Sequence, residues 1–359
     1  MKVVCYCFLL LFTLPTLAAP RIAFLNPATP SHPFWEKMTD FMQAVAQDLD
    51  IHLDVYYMSQ PGITNRFEYF RMAQRALSSQ PDYLLFINLK GTGLKILQAS
   101  NQAKVPAFIF NSDILPQAVA DFGQPRGRYP YWIGHLRPDD TQAGFALAEI
   151  LLGLANTRAP KLFGLNGSYN SSSAKQRSAG LQDAVRQHQA TLLKITRSNT
   201  WSDAEGRHKT HILLQRFPET ELIWAASDSI ALGAIEALTT LGRRDILVGG
   251  IDWSDEGIRA VQAGSLSVSI GGHFIGGGVA LLLLSDHYHG FDFADKLGTQ
   301  ISLKMSSLTQ KNVKACAPIL HRYHFRQIDF KRLTQQHGAK HYNLSLAQIL
   351  SSDVCRFAP

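Results

Sequence analysis

The sequence is short of charge, cysteine and long apolar runs. Only 18% of its 359 residues are Asp, Glu, Lys or Arg, against 46% apolar. That balance excludes a disordered chain and suffices for two domains, each with its own core. The net charge is +7, yet basic residues never run longer than two in a row. A nucleic-acid binder gathers its excess into a patch, so nucleic acid is not an expected partner. No Gly-x-Ser-x-Gly elbow occurs. The glycine-rich Gly271–Gly278 (GGHFIGGG) lacks the Lys-Ser/Thr of a phosphate loop and reads instead as close backbone approach at a hinge and helix start. His287, His289, His321 and His324 have no Cys or carboxylate companions in a ligand pattern. Neither a metal, a cofactor nor an enzyme is expected.

What is present begins with the N-terminus. Lys2 precedes an apolar stretch, Val3–Leu17, and then Ala18, Ala19 and Pro20. This is the pattern of a secretory signal over residues 1–18, too short to span a bilayer permanently. Val279–Leu284 is only a short apolar run, so an exported, soluble chain is expected. Cys5 and Cys7 would leave with the signal. Cys316 and Cys355 then remain, either as a disulfide pinning the C-terminal tail or as two buried thiols.

Strand and helix patterns alternate along the rest. β-rich runs at Arg21–Leu25, His52–Tyr57, Tyr83–Ile87, Ala107–Phe110 and Tyr131–Gly134 are separated by helical spacings. Phe34, Met38, Phe41, Met42, Val45 and Leu49, for example, fall on one helix face. A second series adds strands Lys161–Leu165, Thr191–Thr196, Leu222–Ala226 and Ile246–Ile251, with helices Ser173–His188, Ala204–Arg216 and Ser229–Leu241. The fold class that follows is α/β: two doubly wound parallel-sheet lobes.

Ligands in such sheets sit beyond the carboxyl ends of the strands. There the sequence places Ser31, His32, Phe34 and Trp35, then Asn111, Ser112 and Asp113. The second series supplies Asn166–Ser173 with Arg177, Trp201, Ser227, Asp228 and Asp252–Ser254. Aromatic faces beside amides, hydroxyls, a carboxylate and a guanidinium suit the binding of a small polyol.

Four segments carry a resemblance. Ser31-His32-Pro33-Phe34-Trp35 is similar to the Asn-Pro-aromatic-aromatic helix entry of ribose-binding-like periplasmic sugar-binding proteins. Ser173–Leu181 (SAKQRSAGL) resembles their second-lobe helix start, and Ala226–Ala234 (ASDSIALGA) their Asn-Asp…Ala-Leu-Gly-Ala segment. Gly249–Asp252 resembles the strand that ends in a ligand-binding Asp. Together they span Arg21 to about Met305 in order.

The resemblance implies the type I periplasmic binding protein fold: two lobes joined by three crossover strands and closing on a ligand. Crossovers are expected near Gly134–Leu136, Gly271–His273 and Thr299–Ile301. The first lobe would take residues 21–134 and 273–300, the second 135–272 and 301–307, with an extension over 308–359. Carried over, the ligand-binding residues are Phe34, Trp35, Trp201, Arg177 and Asp252; Asn111, Ser227 and His273 join them as ligand-binding candidates at positions that depart from the family pattern. Trp35 could instead be core, Arg177 and Asp252 an ion pair, and Asp228 a helix cap. Asn111-Ser112 stands where the ribose pattern has Asp-Arg, and Ser227 where it has Asn. Those departures point to a different sugar or a larger, less polar ligand. The implied role is a monomeric periplasmic protein delivering a sugar to a membrane ABC importer. The tail is expected to pack over one lobe. Length, and Ser227-Asp228 through Gly233, also resemble autoinducer-2 receptors, implying as an alternative a sensor that presents a signal to a membrane kinase or cyclase.

Overall fold

The computed structural model describes residues 18–60, 65–351 and 355. The expected signal segment lies almost wholly outside them. Among the described residues no helix is long and apolar enough to cross a membrane.

The first sheet contains β1 (Arg21–Leu25), β2 (His52–Tyr56), β3 (Tyr83–Phe86), β4 (Ala107–Phe110), β5 (Trp132–Pro138) and, from far along the chain, β11 (Gln300–Leu303). The second contains β6 (Lys161–Asn166), β7 (Thr191–Arg197), β8 (Leu222–Ala225), β9 (Leu247–Asp252), β10 (Val268–Gly271) and β12 (Ser306–Thr309). The orders are β11-β5-β4-β3-β1-β2 and β12-β10-β9-β8-β6-β7, with every pairing parallel except β10 with β12. Central strands such as β3 and β4 are buried throughout, as apolar runs covered on both faces must be.

Helices α1 (Pro33–Asp48), α2 (Arg66–Ser78), α3 (Gly93–Ala103) and the single turn α4 (Val119–Phe122) flank the first sheet. In the second lobe lie α5 (Asp140–Leu154), α6 (Ser172–Gln187), α7 (Asp203–Arg216), α8 (Asp228–Thr240) and α9 (Asp255–Ala263). Helix α10 (Gly276–Tyr288) returns to pack on α1, with Gly277 and Gly278 admitting Met42 and Phe41. A side chain at either glycine would collide with them.

The chain leaves the first lobe after Pro138, returns to it after Gly271 and leaves again after Leu303. Two of the expected crossovers therefore fall inside strands. Residues 134–136 belong to β5 and residues 299–301 run into β11, which shifts the expected lobe boundaries three to four residues onward. The polar His135 and Arg137 interrupt the apolar run, so the sequence pattern ends the strand early. The strand persists because β4 and β11 pair with it on both sides, from Gln300 opposite His135 to Leu303 opposite Pro138. His135 is buried by a 2.7 Å bond between Nε2 and the Ser112 carbonyl, and burial holds its pKa below the usual imidazole value.

After α11 (Ala294–Leu297) and the strands β11 and β12, one in each sheet, the tail includes the one-turn helices α12 (Val313–Cys316), α13 (Arg322–Phe325) and α14 (Leu346–Ile349). It begins after Thr309 and does not cover one lobe alone. Helix α12 packs on α9 and β12 of the second lobe, and α13 packs on α1 of the first. Phe325 and Phe330 meet Phe41 edge-on at 5.1 and 5.4 Å. Two carboxylates of the first lobe cap the tail's backbone: Asp48 accepts from the N–H groups of Phe330 and Lys331, and Asp286 from those of Gln335 and Gln336. Tyr342 also donates to Asp286 at 2.7 Å. A disulfide joins Cys316 to Cys355.

Candidate functional site

A cavity of about 380 Å³ opens between the carboxyl ends of the two sheets. Its position follows from connectivity: each β-to-helix turn of either lobe faces the other lobe there. All eight residues singled out in the sequence line it: Phe34, Trp35, Asn111, Arg177, Trp201, Ser227, Asp252 and His273.

Behind the first lobe's wall lies Asn26, fully buried just after β1. Its side chain accepts from the Ala28 N–H at 3.0 Å and donates to Thr39 Oγ1 at 3.1 Å, fixing the loop that leads to α1. Pro33 opens that helix. Phe34 and Trp35 follow, in edge contact at 5.2 Å. Phe34 also stacks on the His273 ring, 4.7 Å between centroids. One face of Phe34 is thus taken up by protein, while Trp35 remains partly open.

In the second lobe, Asn166 repeats the role of Asn26. It accepts from the Gly167 N–H at 2.8 Å and donates to the Ala174 carbonyl at 3.0 Å. Gly167 has no side chain, which lets the Trp201 indole lie against its backbone. Trp201 Nε1 reaches Ser168 Oγ at 3.4 Å. Ser227 caps α8, accepting from the Ile230 N–H at 3.3 Å.

Four lining residues hold left-handed or otherwise positive φ: Lys90 at 47°, Asn111 at 50°, Trp201 at 58° and Asp252 at 136°. Such conformations are costly for residues with a Cβ and cluster where a side chain must be aimed.

Arg177 and Asp252 form the charged floor. Arg177 is 4% exposed. Its Nε donates to Asp140 at 2.7 Å, and its Nη1 to the Ala226 carbonyl at 2.7 Å and to Asp252 at 3.3 Å. Nη2 lies 3.3 Å from His273 Nε2. The ion-pair alternative for Arg177 and Asp252 thus coexists with their place in the cavity wall. Burial pushes the Asp252 carboxyl up to about 6, although Arg177 and His32 pull it down. Burial, reinforced by the Arg177 charge, pushes His273 down to about 3, so its ring is neutral.

Asp228 behaves differently from the cap expected of it. Ser227 takes that role, and Asp228 lies fully buried outside the cavity lining. It accepts from the Ser254 N–H at 2.9 Å, Ser254 Oγ at 3.3 Å and Ser269 Oγ at 2.7 Å, tying the ends of β9 and β10 to α8. Burial and the nearby Asp252 raise its pKa to about 7. Asp113 likewise serves structure. It receives two bonds from Arg137 at 3.1 and 3.0 Å, and across the cleft one from Gln176 at 2.7 Å. Its N–H donates to Ser172 Oγ at 3.0 Å. A second interlobe contact joins Lys37 of α1 to Asp255 of α9 at 2.8 Å.

Some lining residues escaped the sequence reading. Asn88, Leu89 and Lys90 follow β3, an end that the strand-end rule would have flagged had it been applied there. Gln60 and Asn199 also line the cavity, from loops that carry no motif. The four histidines with metal-like spacing have other partners: His287 meets the Tyr83 hydroxyl, His289 the Ser285 carbonyl, His321 the Tyr323 N–H and His324 the Leu350 carbonyl.

Comparisons with known proteins agree with this architecture. A family model described as a periplasmic binding protein domain matches residues 22–276. The ribose import binding protein of Escherichia coli K12 is 30% identical over 186 residues, 51% of this chain and 61% of that one. The D-apiose import binding protein of Actinobacillus succinogenes is 25% identical over 240 residues, 66% and 72% of the two chains. The chain spans a little over half the length, 54%, of the Salmonella typhimurium ribose import binding protein. The crystal structure of a periplasmic sugar-binding protein from Pseudomonas fluorescens superposes with a TM-score of 0.81 at 28% identity, covering 92% of this chain and 99% of that one. The two lobes alone would not fill that share of this chain, so the likeness extends into the tail.

Proposed function

The chain belongs to the periplasmic binding protein family, and from that premise we propose that it binds a neutral sugar or polyol between its lobes and hands it to a membrane ABC importer. One observation carries the reading. The interlobe cavity sets the indoles of Trp35 and Trp201 beside Asp252 and Asn111, pairing apolar faces with hydroxyl-binding groups as a sugar requires. Arg177, the buried cation of the wall, is already matched by Asp140 and Asp252. The floor therefore favours a neutral ligand over an anionic one. The relatives named for ribose and D-apiose import support the class of ligand and the importer as partner. The departures at Asn111, Ser112 and Ser227 favour a sugar other than ribose. Phe34, stacked on His273, acts in this reading as a buttress for the cleft.

The test is a thermal-shift screen of the chain from Ala19 onward against pentoses, hexoses, polyols and furanosyl compounds, with hits measured by calorimetry. A ligand at a hundred times its Kd adds about 2.7 kcal/mol of stability, a shift of a few degrees for a chain of this length. Failure of the whole panel on protein first stripped of bound ligand by unfolding and refolding would reject the sugar reading.

A further inference from the structure

Asp140 lies outside the cavity lining, yet it is 1% exposed and faces the most heavily shared group in the cleft. It is the first residue of α5, two positions after β5 ends, so it sits where the chain first crosses between lobes. Asp139 caps the helix, accepting from the Gln142 N–H at 3.1 Å. Asp140 is thereby left for Arg177 Nε. The same helix grips the Arg177 backbone, since Gly144 of α5 packs directly against its carbonyl, where no side chain would fit. At the other edge of the guanidinium stands His273, immediately after the second crossover and stacked under Phe34 of the first lobe.

We propose that Asp140 is a positioning residue for the ligand cleft: it holds Arg177 so that one guanidinium spans Asp252 and His273 and ties two crossovers to the ligand-facing carboxylate. A guanidinium has only donors. For this contact to be a hydrogen bond, His273 Nε2 accepts and the ring's proton lies on Nδ1, an atom buried without a partner. The alternative is an Nε2–H donating to Asp252 Oδ1, 3.4 Å away. The groups facing Asp252 are Arg177 of α6, His273 after β10, His32 before α1, Asp140 of α5 and Asp228 of α8. Removing the Asp140 charge takes away a repulsion and leaves Asp252 a larger share of Arg177. Only the final arm of the test below rests on the sugar-binding reading.

The experiment starts with the ligand-free full chain. Nitrogen-15 NMR at pH 7 should find His273 neutral and protonated on Nδ1; protonation on Nε2 overturns the proposal without need of a variant. Carbon-13 NMR of the carboxyl groups should then give Asp252 a lower titration midpoint in Asp140→Asn than in the wild type. An unmoved midpoint reduces Asp140 to packing. In the last arm, Asp140→Asn should weaken the Kd for the best sugar of the panel at least tenfold, with partial recovery in Asp140→Glu; wild-type affinity in Asp140→Asn also overturns it. If the wild type binds no sugar at all, the proposed function fails, while the two NMR arms still decide the role of Asp140.

Discussion

The two lobes repeat one topology but prepare their cleft faces in opposite ways. In the second lobe, helices α6, α7, α8 and α9 each start on a serine whose hydroxyl caps the first turn: Ser171, Ser202, Ser227 and Ser254. Its charges are paired before any ligand arrives, Arg177 with Asp140 and Asp252. In the first lobe, α1 starts at His32 and α3 at Thr92 without a side-chain cap. That lobe offers aromatic rings and the Asn111 amide, whose Oδ1 is buried with no partner. The second face is thus capped and charge-paired, with Asp140 Oδ2 its buried oxygen without a partner, and the first is left more open. An unpaired buried acceptor costs about 1–3 kcal/mol. A ligand that supplies its donor repays the closed form at that point.

The sharpest way to break this contrast is at Asp252. Asp252→Asn keeps the shape and removes the charge, and should weaken ligand binding more than a hundredfold by calorimetry. The ligand-free protein should melt no lower, and a few degrees higher at pH 7.5. The sign follows from the shift. A carboxyl whose folded pKa is raised to about 6 holds its proton more tightly folded than unfolded. Its ionised form therefore costs stability above that pH, and the cost fades as pH falls toward the ordinary value near 4. Affinity moves the other way, declining as pH drops through about 6 and the acceptor is lost. Lower melting of the variant at pH 7.5 would make Asp252 a structural ion-pair residue.

Next in size is the aromatic wall. Trp201→Ala should raise Kd roughly twelve- to thirtyfold, the loss of about 1.5–2 kcal/mol of contact, and should abolish part of the ligand-induced change in tryptophan fluorescence. Trp35→Ala tests the open face, and an unchanged Kd would assign Trp35 to the core beside Phe24. The tail gives an effect on stability rather than binding. Replacing Cys316 and Cys355 by Ser should cost about 3–4 kcal/mol, read as a melting point several degrees lower, with Kd changed less than threefold. The smallest effect belongs to the interlobe contacts: Gln176→Ala removes one bond to Asp113 and should weaken affinity two- to fivefold through faster release, visible by stopped-flow fluorescence.

Most of this arrangement was legible in the sequence, for a physical reason. Parallel strands buried on both faces give continuous apolar runs, and the strand-end rule then points to the residues that follow them. Arg21–Leu25 and Ala107–Phe110 were placed to the residue. Every proposed ligand residue turned out to line the cavity. What escaped depends on partners distant in the chain. β5 continues through His135 and Arg137 because β11, some 165 residues later, pairs with it. Asp140 matters because α6 brings Arg177 to it. Asp228 looks like a helix cap locally, and only the meeting of β9 with β10 gives it Ser254 and Ser269. Local patterns do not contain those pairings.

The return of α10 and β11 to the first lobe has a consequence for how the molecule is built during synthesis. Nearly all of α10 is buried, and it covers α1 and the sheet. Both elements are translated only after the whole of α5 to β10. The second lobe, continuous over those elements and short only of its edge strand β12, can finish first. The first lobe, though begun earlier, must wait with Phe41, Met42 and Val45 uncovered until α10 emerges. A chain that starts with one half assembles all but an edge strand of the other half before it, and its period of greatest exposure to aggregation falls on the half it started.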